Sequence, residues 1–270
     1  MALVFFFAKN NMKNIHLKVF FHEGGFFSNF NKVATFLALT TDNVVKITWN
    51  LQGQPYGAFA YNCGEVFGKL FEEYDTGESI HEICELKVYT NTEYTGKEAF
   101  NKYQQTEWRN NFNKILKYFK PTDLLRPYID SIEHKYIFTS DKVNLIGILK
   151  RNNRLKCEQP DNVLPELSNY FEKIDKLKDE NTYLYLAVDN LYDINSFIER
   201  YKKCIYNPKS RRTNFYTDEE PHFTPGSVDD AIATYMEVFT LSKCKEFIHP
   251  VSNMATAVMY FNPNIKTNYI

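Results

Sequence analysis

Several signatures that would settle a function early are missing from this chain. The five cysteines (Cys63, Cys84, Cys157, Cys204 and Cys244) are odd in number, widely spaced and lack a Cys-x-x-Cys. That argues against a disulfide framework and for reduced thiols in a cytoplasmic protein. The six histidines form no His-x-x-x-His and join no Cys/His cluster, so no metal site is expected. No Asp-x-Asp occurs, which disfavours sugar transfer at a metal-dependent site of the single-Rossmann type. Neither a Gly-Lys-Ser/Thr phosphate loop nor a Gly-x-Ser-x-Gly elbow is present, which removes the P-loop and common hydrolase readings. No apolar run approaches the ~20 residues that cross a bilayer. Net charge is also lacking: 32 Lys plus Arg stand against 33 Asp plus Glu, a balance of -1. Such a chain has no overall field with which to hold nucleic acid, although a local basic pocket for one small anion stays open.

What is present is the composition of a folded protein, with 44% apolar and 24% charged residues in 270, enough for one large domain or two small ones. The 23 Phe and 19 Tyr are spread over the whole chain, so core packing rather than a ligand platform accounts for most of them. Residues 15–21 form an apolar, β-branched run that ends in His22-Glu23-Gly24-Gly25. A helical face follows over 29–39, then a strand over 44–49; strand, helix and strand so closely joined predict a parallel βαβ unit. Residues 50–64 read as a long loop, 96–119 as a helix, and a second helix is expected from Pro121 towards Ile132.

The later half alternates more regularly. Strands are expected at 143–149, 183–188, 204–206 and 246–248, and helices at 163–177, 194–201, 228–241 and 254–260. This predicts a doubly wound α/β domain, whose ligands sit beyond the carboxyl ends of the strands. Loops at 150–161, 189–193, 207–226 and 249–253 are therefore the places to look. Arg151 follows one strand and Asp189-Asn190 the next; Arg211-Arg212 lie in a long loop, and Ser252-Asn253 opens a helix. A guanidinium pairs two oxygens of a diphosphate in a fixed fork. The start of the Ser252 helix favours the same negative charge, and an Asp at a strand end can hold a sugar hydroxyl. Ordinary roles compete: Ser252 or Asn253 as a helix cap, Asp189 as another cap, Lys150-Arg151 as a strand end reaching water.

These segments, in this order, resemble the fucosyltransferase superfamily with the two-domain GT-B fold, which includes the α-1,2-, α-1,6- and protein O-fucosyltransferases. Ile146-Gly147-Ile148-Leu149-Lys150-Arg151 is similar to the strand leading into that family's His-x-Arg motif, with Leu149 in place of the histidine and Arg154 in place of the acid that usually follows. Leu184–Asp189 resembles the strand that ends in an acid near the donor. Residues 231–262, with Ser252-Asn253 where the family has Ser-Ser, resemble its closing motif. Glu23-Gly24-Gly25-Phe26-Phe27-Ser28-Asn29 looks like its first Gly-rich loop.

The resemblance implies two Rossmann-like halves with parallel sheets and the active cleft between them, an acceptor half at 1–130 and a donor half at 131–270. It implies transfer of a sugar, fucose from GDP-fucose first among them, to a glycan hydroxyl, with inversion and without cofactor or metal. Arg151 would grip the diphosphate, with Asp189, Asn190, Arg211, Ser252 and Asn253 beside the donor. Gly24, Gly25 and Asn29 would face the acceptor. The base would be Glu158 or Asp161, with Glu23 as the rival. Two alternatives stand beside this reading: another nucleotide-sugar donor in the same fold, or a relative that binds nucleotide or glycan without turnover.

Overall fold

A computed structural model describes residues 14–21, 26–40, 43–49, 63–87, 114–137, 143–151, 164–210 and 228–270. The chain divides into two units, Met1–Pro127 with Phe223–Ala231, and Tyr128–His222 with Ile232–Ile270. The main division thus falls three residues before the expected one at 130, and the second unit is interrupted. A single cut in the sequence cannot register a segment that joins the other unit.

In the first unit, β1 (Ile15–Phe20), α1 (Phe26–Thr40) and β2 (Val44–Trp49) form the expected βαβ, with β1 and β2 parallel. Along β1 the residues Ile15, Leu17 and Val19 are buried while their neighbours are only partly so, the period of two that a pleated strand imposes. Further along come α2 (Cys63–Leu70), β3 (Tyr74–Asp75) and β4 (Glu82–Lys87), none of which the sequence reading placed. The sheet order is β3-β2-β1-β4. β4 is parallel to β1, whereas β3 is antiparallel to β2, so this sheet is mixed rather than wholly parallel. The reversal is local. Asp75 accepts a hydrogen bond from the Gly77 N–H at 2.8 Å and pairs with Lys46 across the two strands at 2.7 Å. Gly77 has φ of 75°, a conformation costly for any residue with a Cβ.

Aromatic rings fill the core of this unit. Phe21, Phe26, Phe30, Trp49, Phe67, Phe71 and Phe119 are all buried, with neighbouring centroids as close as 4.4 Å for Phe21–Phe67 and Phe30–Phe119. The helix expected from Pro121 begins later, as α3 (Arg126–Ile137). Pro121 instead makes an isolated bridge with Phe71. Thr122 starts a turn closed by Leu125 and Arg126, and Pro127 lies in the helix's first turn, where a missing N–H costs nothing. Of the helix expected at 96–119, residues 96–113 lie outside the described residues, and Leu116–Tyr118 is a short 3-10 turn.

The second unit follows the expected alternation closely. Its elements are β5 (Asn144–Lys150), α4 (Leu167–Leu177), β6 (Thr182–Val188), α5 (Leu191–Tyr201), β7 (Cys204–Tyr206), α6 (Val228–Ser242, of which Ile232 onward belongs to this unit), β8 (Glu246–His249), α7 (Asn253–Phe261) and β9 (Lys266–Tyr269). The last strand was not foreseen, because Lys266-Thr267-Asn268-Tyr269 lacks the apolar run of its neighbours. All pairs are parallel and the order is β7-β6-β5-β8-β9. On one face Ile146, Ile148, Leu184, Leu186 and Val188 pack with Tyr170 and Ile174 of α4 and with Ile194 and Phe197 of α5. Each such aliphatic burial contributes roughly 1.5–3 kcal/mol. On the other face α6 comes so close that a Cβ on Gly147 would lie 2.8 Å from Leu241 Cδ2. Burial on both faces explains why β5 and β6 read as near-continuous apolar runs.

Candidate active site at the carboxyl edge of the second sheet

From β5 the chain winds outward through β6 and β7, then crosses to the other side of β5 to lay down β8 and β9. The carboxyl ends of β5 and β8 therefore flank the point where strand order reverses, the usual place for a ligand in such sheets. Arg151 follows β5 directly, and Ser252 lies three residues beyond β8.

Arg151 Nη1 donates to Asp189 Oδ1 at 3.2 Å and lies 3.4 Å from the sulfur of Met254 in the first turn of α7. The two charged side chains are 28% and 22% exposed, so the pair is held by the fold yet reachable from solvent. A guanidinium has five N–H donors, and these contacts use one nitrogen. Ser252 caps α7: its Oγ accepts from the Ala255 N–H at 3.0 Å, and its carbonyl accepts from the Thr256 N–H at 3.1 Å. Asn253, the first helical residue, is exposed. A cationic side chain thus stands beside the positive end of a helix, an arrangement that favours a bound anion.

Asn190 has a different place from the one expected. Its side-chain oxygen accepts from the Tyr192 N–H at 2.7 Å and the residue is only 2% exposed, so it caps the start of α5. Asp189, next to it, meets Arg151. Lys150 departs further from expectation. Instead of carrying the strand end out to water, its Nζ reaches Asp193 Oδ2 at 2.6 Å, with both side chains buried. No sequence signal distinguished it from an ordinary strand-end lysine, because Asp193 lies 43 residues away. Asn29 lies inside α1, wholly buried, because that helix begins at Phe26 and takes in the residues expected to form a loop. Glu23, Gly24, Gly25, Arg154, Glu158, Asp161 and Arg211 lie outside the described residues.

Among the described residues no group of three or more His, Cys, Asp or Glu is placed to hold a metal ion. Nor is any helix there long and apolar enough to cross a membrane. Burial pushes the thiols of Cys84 and Cys204 up to about 11, and that of Cys244 up further, so none is a ready nucleophile.

No protein-family model matches the chain, and no curated protein matches it by sequence. Solved structures do. The NodZ alpha-1,6-fucosyltransferase co-crystallised with GDP aligns over 93% of this chain and 93% of its own, with a TM-score of 0.52 and 12% identity. The selenomethionine form of fucosyltransferase NodZ from Bradyrhizobium aligns over 94% and 92%, with a TM-score of 0.51 and 12% identity. The chain has a fucosyltransferase-like GT-B fold. Within that fold, Arg151, Asp189 and the Ser252 helix lie together at the switch point of the second parallel sheet.

Proposed function

We propose that this GT-B protein is a glycosyltransferase that moves a sugar from a nucleotide diphosphate, GDP-fucose first, to a glycan hydroxyl. The observation that carries the reading is Arg151, fixed between Asp189 and the first turn of α7 at the carboxyl edge of a doubly wound sheet. Support comes also from the fold, shared along most of the chain with a fucosyltransferase co-crystallised with GDP. In the reaction, the acceptor oxygen bonds to the anomeric carbon as that carbon's bond to the diphosphate oxygen breaks, inverting the centre. The acceptor proton passes to a carboxylate, Glu158 or Asp161, with Glu23 the rival. The diphosphate leaves with the bonding electrons, its charge met by Arg151 and the N–H groups that begin α7, beside Asn253. No metal takes part in this reading.

A thermal-shift series with GDP, UDP, CMP and their sugar conjugates, with and without EDTA, tests this. A ligand that binds only the native state stabilises it by about 2.7 kcal/mol at a hundred times its Kd. The expected result is a rise with GDP and GDP-fucose that survives EDTA and is lost in Arg151→Ala. Silence across the whole panel overturns the proposal.

One observation favours a second reading. Leu149, where the family motif has histidine, is fully buried and aliphatic. That side chain brings no polar group to the donor, which suits a different donor sugar or binding without turnover. A shift with UDP or CMP conjugates selects the first. GDP binding with no transfer, in wild type and in Glu158→Gln and Asp161→Asn alike, selects the second.

A further inference from the structure

Three consecutive residues at the end of β5 are each tied to a different neighbour. The Leu149 carbonyl accepts from the Tyr170 hydroxyl of α4 at 3.1 Å. The Lys150 carbonyl accepts from the Asp189 N–H at 3.2 Å, and the Lys150 ammonium reaches Asp193 at 2.6 Å. Arg151 then meets Asp189 and Met254.

The Lys150–Asp193 pair is the costly member of this set. Its side chains are only 6% and 1% exposed, at the end of an apolar strand. Taking two charges out of water costs several kcal/mol for each, and apolar residues of like volume often stabilise as well or better. Stability alone is therefore a poor reason for the pair. What an ion pair supplies and an apolar pair does not is one fixed partner and direction.

We infer that Lys150 and Asp193 are positioning residues: their buried ion pair pins the last residue of β5 to the first turn of α5 and so fixes the guanidinium of Arg151 for a nucleotide diphosphate. This inference rests on the donor reading above. Arginine carries much rotamer freedom, and holding its backbone before the ligand arrives lowers the ordering cost of binding. The pair also matches the Asp193 carboxylate with a cation at an edge that has to accept an anion.

Calorimetry with GDP, inorganic pyrophosphate and guanosine separates the outcomes. In Lys150→Met/Asp193→Leu, melting stays near wild type, while GDP and pyrophosphate weaken by about tenfold, the worth of one charge-assisted contact. Guanosine is unchanged, and Lys150→Arg, which keeps the pair, retains GDP binding. Should the double variant not fold, Lys150→Gln/Asp193→Asn, which keeps the shape and a hydrogen bond without either charge, shows the same phosphate-selective loss at smaller size. Unchanged GDP affinity in a folded variant overturns the inference, as does an equal loss of GDP and guanosine. If wild type binds neither GDP nor pyrophosphate, the donor reading itself fails, and the inference with it.

Discussion

The two units end their central strands in opposite chemistry. In the first, β1 and β2 run into Phe21 and Trp49, whose rings pack on Phe67 at 4.4 and 5.6 Å. In the second, β5 and β6 run into Lys150, Arg151 and Asp189, where one ion pair joins Arg151 to Asp189 and another joins Lys150 to Asp193 of α5. Both are α/β sheets with buried apolar strands, so architecture alone does not say where polar chemistry sits. The difference teaches that the described ends of β1 and β2 serve packing, whereas the matching edge of the second sheet holds charges in place at a structural cost. An edge of that kind is where a charged ligand can be met without rearrangement.

The comparison breaks first if the aromatic core is not confined to its own unit. Trp49 is 1% exposed beside the rings of Phe21, Phe67, Phe71 and Phe119, and Trp49→Ala should cost about 3–5 kcal/mol. Hydrogen exchange should show β1, β2 and β4 losing protection while β5 and β6 keep theirs; a joint loss would mean that the two cores unfold as one. Next in size is Gly147→Val, whose added atoms meet Leu241 and Cys244 at 2.8 and 3.0 Å. Overpacking there should cost about 1–3 kcal/mol in urea denaturation, and a neutral result would show that α6 yields easily.

Ser252→Ala sharpens the contrast at the charged edge. It removes a cap at 3.0 Å and should lower stability by about 1 kcal/mol, with a matching fall in GDP affinity if the helix start faces phosphate. Stability loss without an affinity change would leave Ser252 a cap only.

The smallest effect concerns acid. Hydrogen bonds from Lys178 and Arg200 hold the Asp175 carboxyl down at about 2, against an ordinary 3.8. A lowered folded pKa stabilises above the unfolded value, and that contribution disappears as pH falls from about 4 through about 2. The stability difference between wild type and Asp175→Asn should therefore shrink over that window and be small throughout, since the ion pairs lie at the surface.

Much of the second unit was legible because β5, β6 and β8 are buried on both faces while α4 and α5 bury one, so the period of hydrophobicity changes at those boundaries. β7 was placed at its observed bounds, and β5, β6 and β8 to within one residue. The first unit was harder to read. β3 has two residues, β4 reads Glu-Ile-Cys-Glu-Leu-Lys with Ile83 59% exposed, and a helix that starts on Phe26 hid Asn29 inside it. Arg151, Asp189 and Ser252 could be placed at one edge because strand ends in a doubly wound sheet point there. The capping of α5 by Asn190 was not foreseen, because a cap and a ligand contact use the same short polar side chain.

By itself, then, the sequence determined the α/β class, the alternation of the second unit, the place of three residues at its carboxyl edge and the likeness to a fucosyltransferase-like GT-B fold. Periodicity, turn chemistry and motif order are all local properties, readable within a few residues. Only the tertiary structure decided that β3 runs antiparallel, that Asn190 caps α5, and that Lys150 turns inward to Asp193 while Arg151 meets Asp189. Those outcomes depend on partners distant in the chain, and a charged side chain at a strand end is the same residue in the sequence whether it meets water or a buried carboxylate.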